Sequence, residues 1–145
     1  MRFILCGIIA LFSLSSYATE CTDSVPDDFS KVGQTRLSVY FWDVYDATLY
    51  SPSGKYKQDE RQALLLAYLR DIKAKDLIET TEEEWQKLEL NSDKHEQWLE
   101  KLDSIWPDIK EGDCLLLVEK KDGTAEFYQG DKLLGEIEDK DFTEQ

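Results

Sequence analysis

The feature that most restricts the fold is a hydrophobic period that changes twice along the chain. From Gln34 to Tyr50 aromatic and β-branched residues crowd together, and Leu37, Val39 and Phe41 alternate with Arg36, Ser38 and Tyr40. A period of two is that of a strand with two unlike faces. The alternation shifts phase around Trp42-Asp43, which predicts a bulge or two consecutive strands, ended by Ser51-Pro52-Ser53-Gly54. The continuous apolar run Ala63 to Leu69 has the length of a buried strand. From Lys73 to Ile105 the pattern becomes helical. Leu77, Ile78, Thr81, Trp85 and Leu88 form one stripe, and His95, Trp98, Leu99, Leu102 and Ile105 form a second that Pro107 ends. Asn91-Ser92 offers an N-cap for the second helix, and Glu82-Glu83-Glu84 reads as a solvated first turn after Thr80 or Thr81. Strand grammar then returns: Cys114 to Glu119, Thr124 to Tyr128 and Leu133 to Ile137, separated by Asp-Gly and Gly-Asp turns. Strands, helices, then a meander of strands predict an α+β domain whose antiparallel sheet packs one face on the helices. Trp85 and Trp98 are expected in that packing.

With 145 residues and an apolar fraction of 41%, the chain suits one domain with a core. Its net charge of −14 repels polyphosphate and anionic headgroups, which argues against nucleic-acid binding and peripheral membrane roles. Met1 to Ala18 has Arg2 followed by an apolar run, Phe3 to Leu14, and small residues at Ser16 and Ala18. That is the layout of a secretory signal peptide cut after Ala18. An apolar run of that length rises only about 18 Å as a helix, too short for a bilayer core. The remainder is expected to be periplasmic or secreted, with no membrane insertion once the leader is removed. Thr19 to Lys31, polar and without period, reads as a flexible lead-in to a domain over residues 32–145.

Removing the leader also removes Cys6 and leaves Cys21 and Cys114 in an oxidising compartment, where a disulfide can form. The other reading leaves Cys114 buried in a strand and Cys21 in a loose tail. No CxxC motif or Cys/His cluster points to zinc, and no metal or other cofactor is expected. Glu136, Glu138, Asp139 and Asp141 could hold a divalent ion loosely, although a solvated acidic face is the simpler reading. The lone histidine, His95, sits at the edge of a buried stripe, and no serine lies in GxSxG, so a hydrolase triad is a poor fit. Three arginines follow the leader: Arg36, Arg61 and Arg70. Arg36 lies in the most aromatic strand and needs a carboxylate, either from the protein or from a ligand. Tyr40, Tyr45 and Tyr50 lie close enough in sequence to add hydroxyl donors beside a pocket.

Several stretches together resemble the bacterial chalcone isomerase-like proteins. They are Val32 to Tyr56 with its Val44-Tyr45-Asp46-Ala47, the segment Tyr68-Leu69-Arg70-Asp71-Ile72, Lys110-Glu111-Gly112-Asp113, and the Gly130 to Gly135 hairpin before Ile137 and Phe142. The resemblance covers nearly all of Val32 to Phe142. It implies an open-faced β-sandwich, with a large antiparallel sheet packed against helices. Relatives continue past the position of Phe142 with an aromatic-rich helix, whereas this chain stops at Gln145, so that helix is expected to be missing. In the superfamily's enzymes an arginine of the early strand region holds a phenolate, and in its fatty-acid-binding members an arginine and a tyrosine hold the carboxylate. By position Arg36 matches that arginine and Tyr45 that tyrosine, with Tyr40 as a further donor.

The resulting expectation is an exported, non-catalytic protein that binds a fatty acid or another small apolar carboxylate or aromatic body in a cleft. The alternatives are an intramolecular lyase acting on chalcone-like substrates, or an envelope module that meets a protein partner and no small ligand. The enzymes' remaining Thr, Tyr and Asn positions find no counterpart here, which counts against the isomerase.

Overall fold

The computed structural model describes residues 21–90 and 93–144. The leader read at Met1 to Ala18 and the Asn91-Ser92 cap lie outside the described residues. Six strands form one antiparallel meander in the order β1-β2-β3-β4-β5-β6. These are β1 Ser30–Val39, β2 Trp42–Ser51, β3 Ala63–Tyr68, β4 Cys114–Glu119, β5 Ala125–Gln129 and β6 Lys132–Ile137. Between β3 and β4 lie α1 Ala74–Lys87 and α2 His95–Ile105, and a short α3, Lys140–Thr143, follows β6. The fold is α+β, an open sheet with its helices on one side. Among the described residues no helix is long and apolar enough to cross a membrane.

The phase shift near Trp42 resolves into both expected devices. A hairpin turns at Tyr40-Phe41, where Val39 pairs with Trp42, and the β1–β2 register slips between Leu37 and Ser38. Tyr40 takes φ +57°, the left-handed region that Gly or Asn ordinarily fills.

Alternation sends each strand's residues to two separate cores. On one face Ala63, Leu65, Cys114, Leu116 and Val118 are covered by Phe29 together with Cys21 and Val25. On the other, Phe127, Ala125 and Ile137 meet Trp98, Leu102 and Ile105 of α2. Beside them Tyr68 and Leu115 meet Ile109, with Tyr45, Leu66 and Leu77 at the margin. At Gly135 of β6 the chain packs directly under α2, since a Cβ there would lie 2.7 Å from Ile105 Cγ1. Gly135→Ala should therefore cost about 1–3 kcal/mol by overpacking, read from urea denaturation, whereas a change under half a kcal/mol would show that α2 shifts freely.

Two expectations are corrected. The lead-in is not loose from Cys21 onward: a disulfide joins Cys21 to Cys114, Ser24 Oγ donates to the Gly130 carbonyl at 2.7 Å, and Phe29 is buried. Apolar sheet surface on that face would otherwise meet water, and this segment covers it. The Glu82-Glu83-Glu84 run is not a first turn, because α1 begins at Ala74. A distant carboxylate supplies the cap: Asp108 Oδ1 accepts from the Ala74 N–H at 2.9 Å, while Thr81 Oγ1 donates back to the Leu77 carbonyl.

Candidate functional site

The hairpin register decides where the expected site residues go. Arg36 stands opposite Asp46 and Leu37 opposite Tyr45, so Arg36 and Tyr45 emerge from opposite faces of the sheet. Arg36 makes a fork with the carboxylate across from it, Nε to Asp46 Oδ1 at 2.7 Å and Nη2 to Asp46 Oδ2 at 2.9 Å. Its Nη1 reaches Asp43 Oδ2 at 3.2 Å, and Ser38 Oγ donates to the other Asp43 oxygen at 2.6 Å. The side chain is half exposed, and hydrogen bonding to Asp46 raises its proton affinity while holding the Asp46 carboxyl below its ordinary range. Tyr40 stands fully exposed at the turn. Arg36, Tyr40 and Tyr45 are thus placed in three different surroundings, and Arg36 finds its carboxylate within the protein.

A different grouping forms on the helix-facing side. Tyr45 of β2 and Tyr68 of β3 are directly paired across the strands, with ring centroids 5.7 Å apart in an edge contact. Tyr68 is only 3% exposed. Neither hydroxyl hydrogen-bonds to another of the described residues, and the buried Trp106 Nε1 beside Tyr68 is also without a partner. Burial holds both phenols above their ordinary pKa, with Glu84 of α1 adding to the effect at Tyr45 and Tyr45 adding to it at Tyr68. Both therefore remain neutral donors across the physiological range.

Around this pair runs an apolar floor set by the same alternation: Leu37, Ala47, Leu49, Leu64 and Leu66 all project to the helix side. Leu37 and Leu64 are exposed and the others half-buried, because α1 lies near this part of the sheet without burying any of its own residues. What results is a partly open apolar face with two unengaged phenol donors at one end. That arrangement can take an apolar body and donate hydrogen bonds to a polar or anionic head.

Concavities lie elsewhere among the described residues. One of about 470 Å³ lies beside the turn end of the β1–β2 hairpin, between Trp42, Asp43, Arg70 and Glu111. Another, about 880 Å³, runs between α1 and α2 past Trp85 and His95, whose rings stack at 4.5 Å. Among the described residues no three His, Cys, Asp or Glu side chains gather to hold a metal ion. Of the acids considered for a cation, Asp139 and Asp141 are bridged by Lys94 at 3.0 and 2.7 Å.

Tyr68 and Trp106 were missed by sequence reasoning. A signal for Tyr68 existed, since its spacing from Leu64 and Leu66 puts it on their face. Trp106 carried none, because it follows the end of α2 and is oriented by the return of the chain to β4.

Comparison with known proteins places this architecture. Residues 32–145 match the family described as chalcone isomerase-like. A protein of Haemophilus influenzae, itself uncharacterised, is 25% identical over 116 residues, covering 79% of this chain. The matched part spans about half that relative's length, 53%. Among solved structures, a fatty-acid binding protein of Arabidopsis thaliana shares the fold with a TM-score of 0.63 at 13% identity, over 81% of this chain and 77% of its own. With the match to the family extending from the first strand to the last residue, this chain belongs to the chalcone isomerase-like family.

Proposed function

We propose that the protein is an exported, non-catalytic binding protein for a small apolar carboxylate of the fatty-acid class. The acyl chain lies along Leu37, Leu49, Leu64 and Leu66, and the head is met by the hydroxyls of Tyr45 and Tyr68. The observation that carries this reading is the pair of neighbouring phenols without hydrogen-bond partners among the described residues, at the end of a half-open apolar face. Both hydroxyls keep access to solvent, since Trp106 Nε1 beside them is the buried polar atom without a partner among the described residues, so a ligand oxygen can replace water on the two phenols. The fold shared with a fatty-acid binding protein agrees with it. Arg36, engaged by Asp46 and Asp43 on the other face, braces the hairpin. Export is supported by the leader-like Met1 to Ala18 and by the Cys21–Cys114 disulfide, a bond that persists in oxidising compartments.

Titration with a fluorescent long-chain fatty acid tests the assignment. Tyr45→Phe and Tyr68→Phe should each weaken binding about 10- to 100-fold, the range for losing a hydrogen bond to a charged group. Arg36→Ala should leave it within about twofold. Loss of binding in Arg36→Ala with both Phe variants intact would move the head to the other face, and no binding by the native protein would end the reading.

A further inference from the structure

The tip of the β1–β2 hairpin is unlike the rest of this acidic surface. Val39, Tyr40, Phe41 and Trp42 are consecutive and 47%, 93%, 99% and 60% exposed. Tyr40 also occupies a left-handed turn position that would favour Gly or Asn, so local backbone preference does not account for an aromatic residue there. Behind the tip each arginine is engaged, one by two carboxylates and the other by an aromatic ring. Arg36 is held by Asp46 and Asp43, and the Arg70 guanidinium lies over the Trp42 ring at 4.6 Å.

We propose that this tip is an interfacial anchor that docks the protein on a zwitterionic lipid bilayer. Three features select a bilayer over a protein. The tip is convex and two residues wide, and its three aromatic side chains offer roughly 500 Å², short of the ~800 Å² each partner brings to a stable protein interface. Its apolar end runs about 7 Å from the turn to the Ser38–Asp43 pair, comparable to the ~5–10 Å that interfacial elements penetrate. Tyr and Trp, with apolar rings and polar edges, are the side chains that settle at the headgroup level. The overall charge of −14 selects the lipid: it opposes anionic headgroups and leaves zwitterionic ones accessible. The expectation against a peripheral membrane role rested on that same charge summed over the whole molecule, whereas the docking is local, and it does not span the bilayer. The inference stands on the tip alone and does not require a fatty-acid ligand.

The test is co-sedimentation of the protein, purified as its host processes it, with phosphatidylcholine vesicles, beside a Tyr40→Asn/Phe41→Asp variant. Asn suits the left-handed position and both sites are exposed, so the variant keeps the fold, which far-UV circular dichroism verifies. The variant's partition should fall at least tenfold. Bromine-labelled phosphatidylcholine should quench Trp42 emission in the native protein and not in the variant, with Trp42→Phe identifying that signal. Tyr45→Phe should bind vesicles like the native protein even where it loses the fatty acid, which separates the two readings. Native protein left in the supernatant, equal partition of the variant, or binding only when phosphatidylglycerol is added would each overturn the proposal. A tip-dependent dimer by sedimentation velocity without lipid would overturn it too and give the tip to a second copy.

Discussion

Cys21→Ala should lower the stability of the protein by about 4 kcal/mol, within the 2–5 kcal/mol typical of a native disulfide in a small domain. The two cysteines are 93 residues apart, so the bond closes most of the chain into one loop in the unfolded state. The chain-entropy account gives between 4 and 5 kcal/mol for a loop of roughly that length. A second contribution acts in the folded state. Cys21 anchors the segment that brings Phe29 and Val25 over Ala63, Leu65, Leu116 and Val118. Without the anchor that segment keeps the Ser24 hydrogen bond to Gly130, the Asp28–Arg61 ion pair at 3.2 Å and the Arg61 guanidinium over the Phe29 ring, none of them covalent. Cys21→Ala is preferable to a change at Cys114, whose buried place in β4 would add a packing penalty. Urea denaturation of the variant should match that of the native protein under reductant. A midpoint insensitive to both would mean that the segment holds its place by packing alone.

Trp98→Ala should cost about 3–5 kcal/mol, the range for truncating a large buried aromatic side chain. Trp98 is 2% exposed and lies where all three helices meet the sheet. Its ring makes edge contacts with Trp85 of α1 at 6.0 Å and with Phe142 of α3 at 5.5 Å. Its Nε1 donates to Asp139 Oδ2 at 3.2 Å, tying the end of β6 to α2. Truncation removes the packing and the donor together, and the surrounding rings are held by separate elements, so they close the space only in part. Chemical denaturation measures the loss, and the near-UV circular dichroism of the tryptophan cluster should collapse with it. A loss below 1 kcal/mol would show that α1 and α3 repack freely onto α2.

Particular residues show how much could be read in advance. The Leu64, Leu66, Tyr68 spacing and the stripe Trp98, Leu102, Ile105 identify faces as well as elements, because alternation and the helical repeat depend on neighbours in sequence. The turns Asp122-Gly123 and Gly130-Asp131 mark the C-terminal hairpins for the same reason, with Gly123 at φ +86° and Gly130 at φ +62°. The candidate site was less legible. Arg36 was recognised as an arginine in need of a carboxylate, but Asp46 becomes its partner only through the two-residue turn at Tyr40-Phe41 and the slip after Leu37. A one-residue change of register would have put Arg36 on the face of Tyr45. The cap of α1 is a carboxylate 34 residues away, at Asp108, and no local pattern announces it.

By itself, then, the sequence determined the α+β class, the order of the elements and the apolar face of most of them. Those properties follow from periodicity and turn chemistry, which act over a few residues. Only the tertiary structure decided that Cys21 meets Cys114, that Arg36 is engaged by Asp46, and that Tyr45 and Tyr68 stand together over an open apolar face. Each of these depends on register and on contacts between distant segments, set by the packing of the whole sheet against its helices.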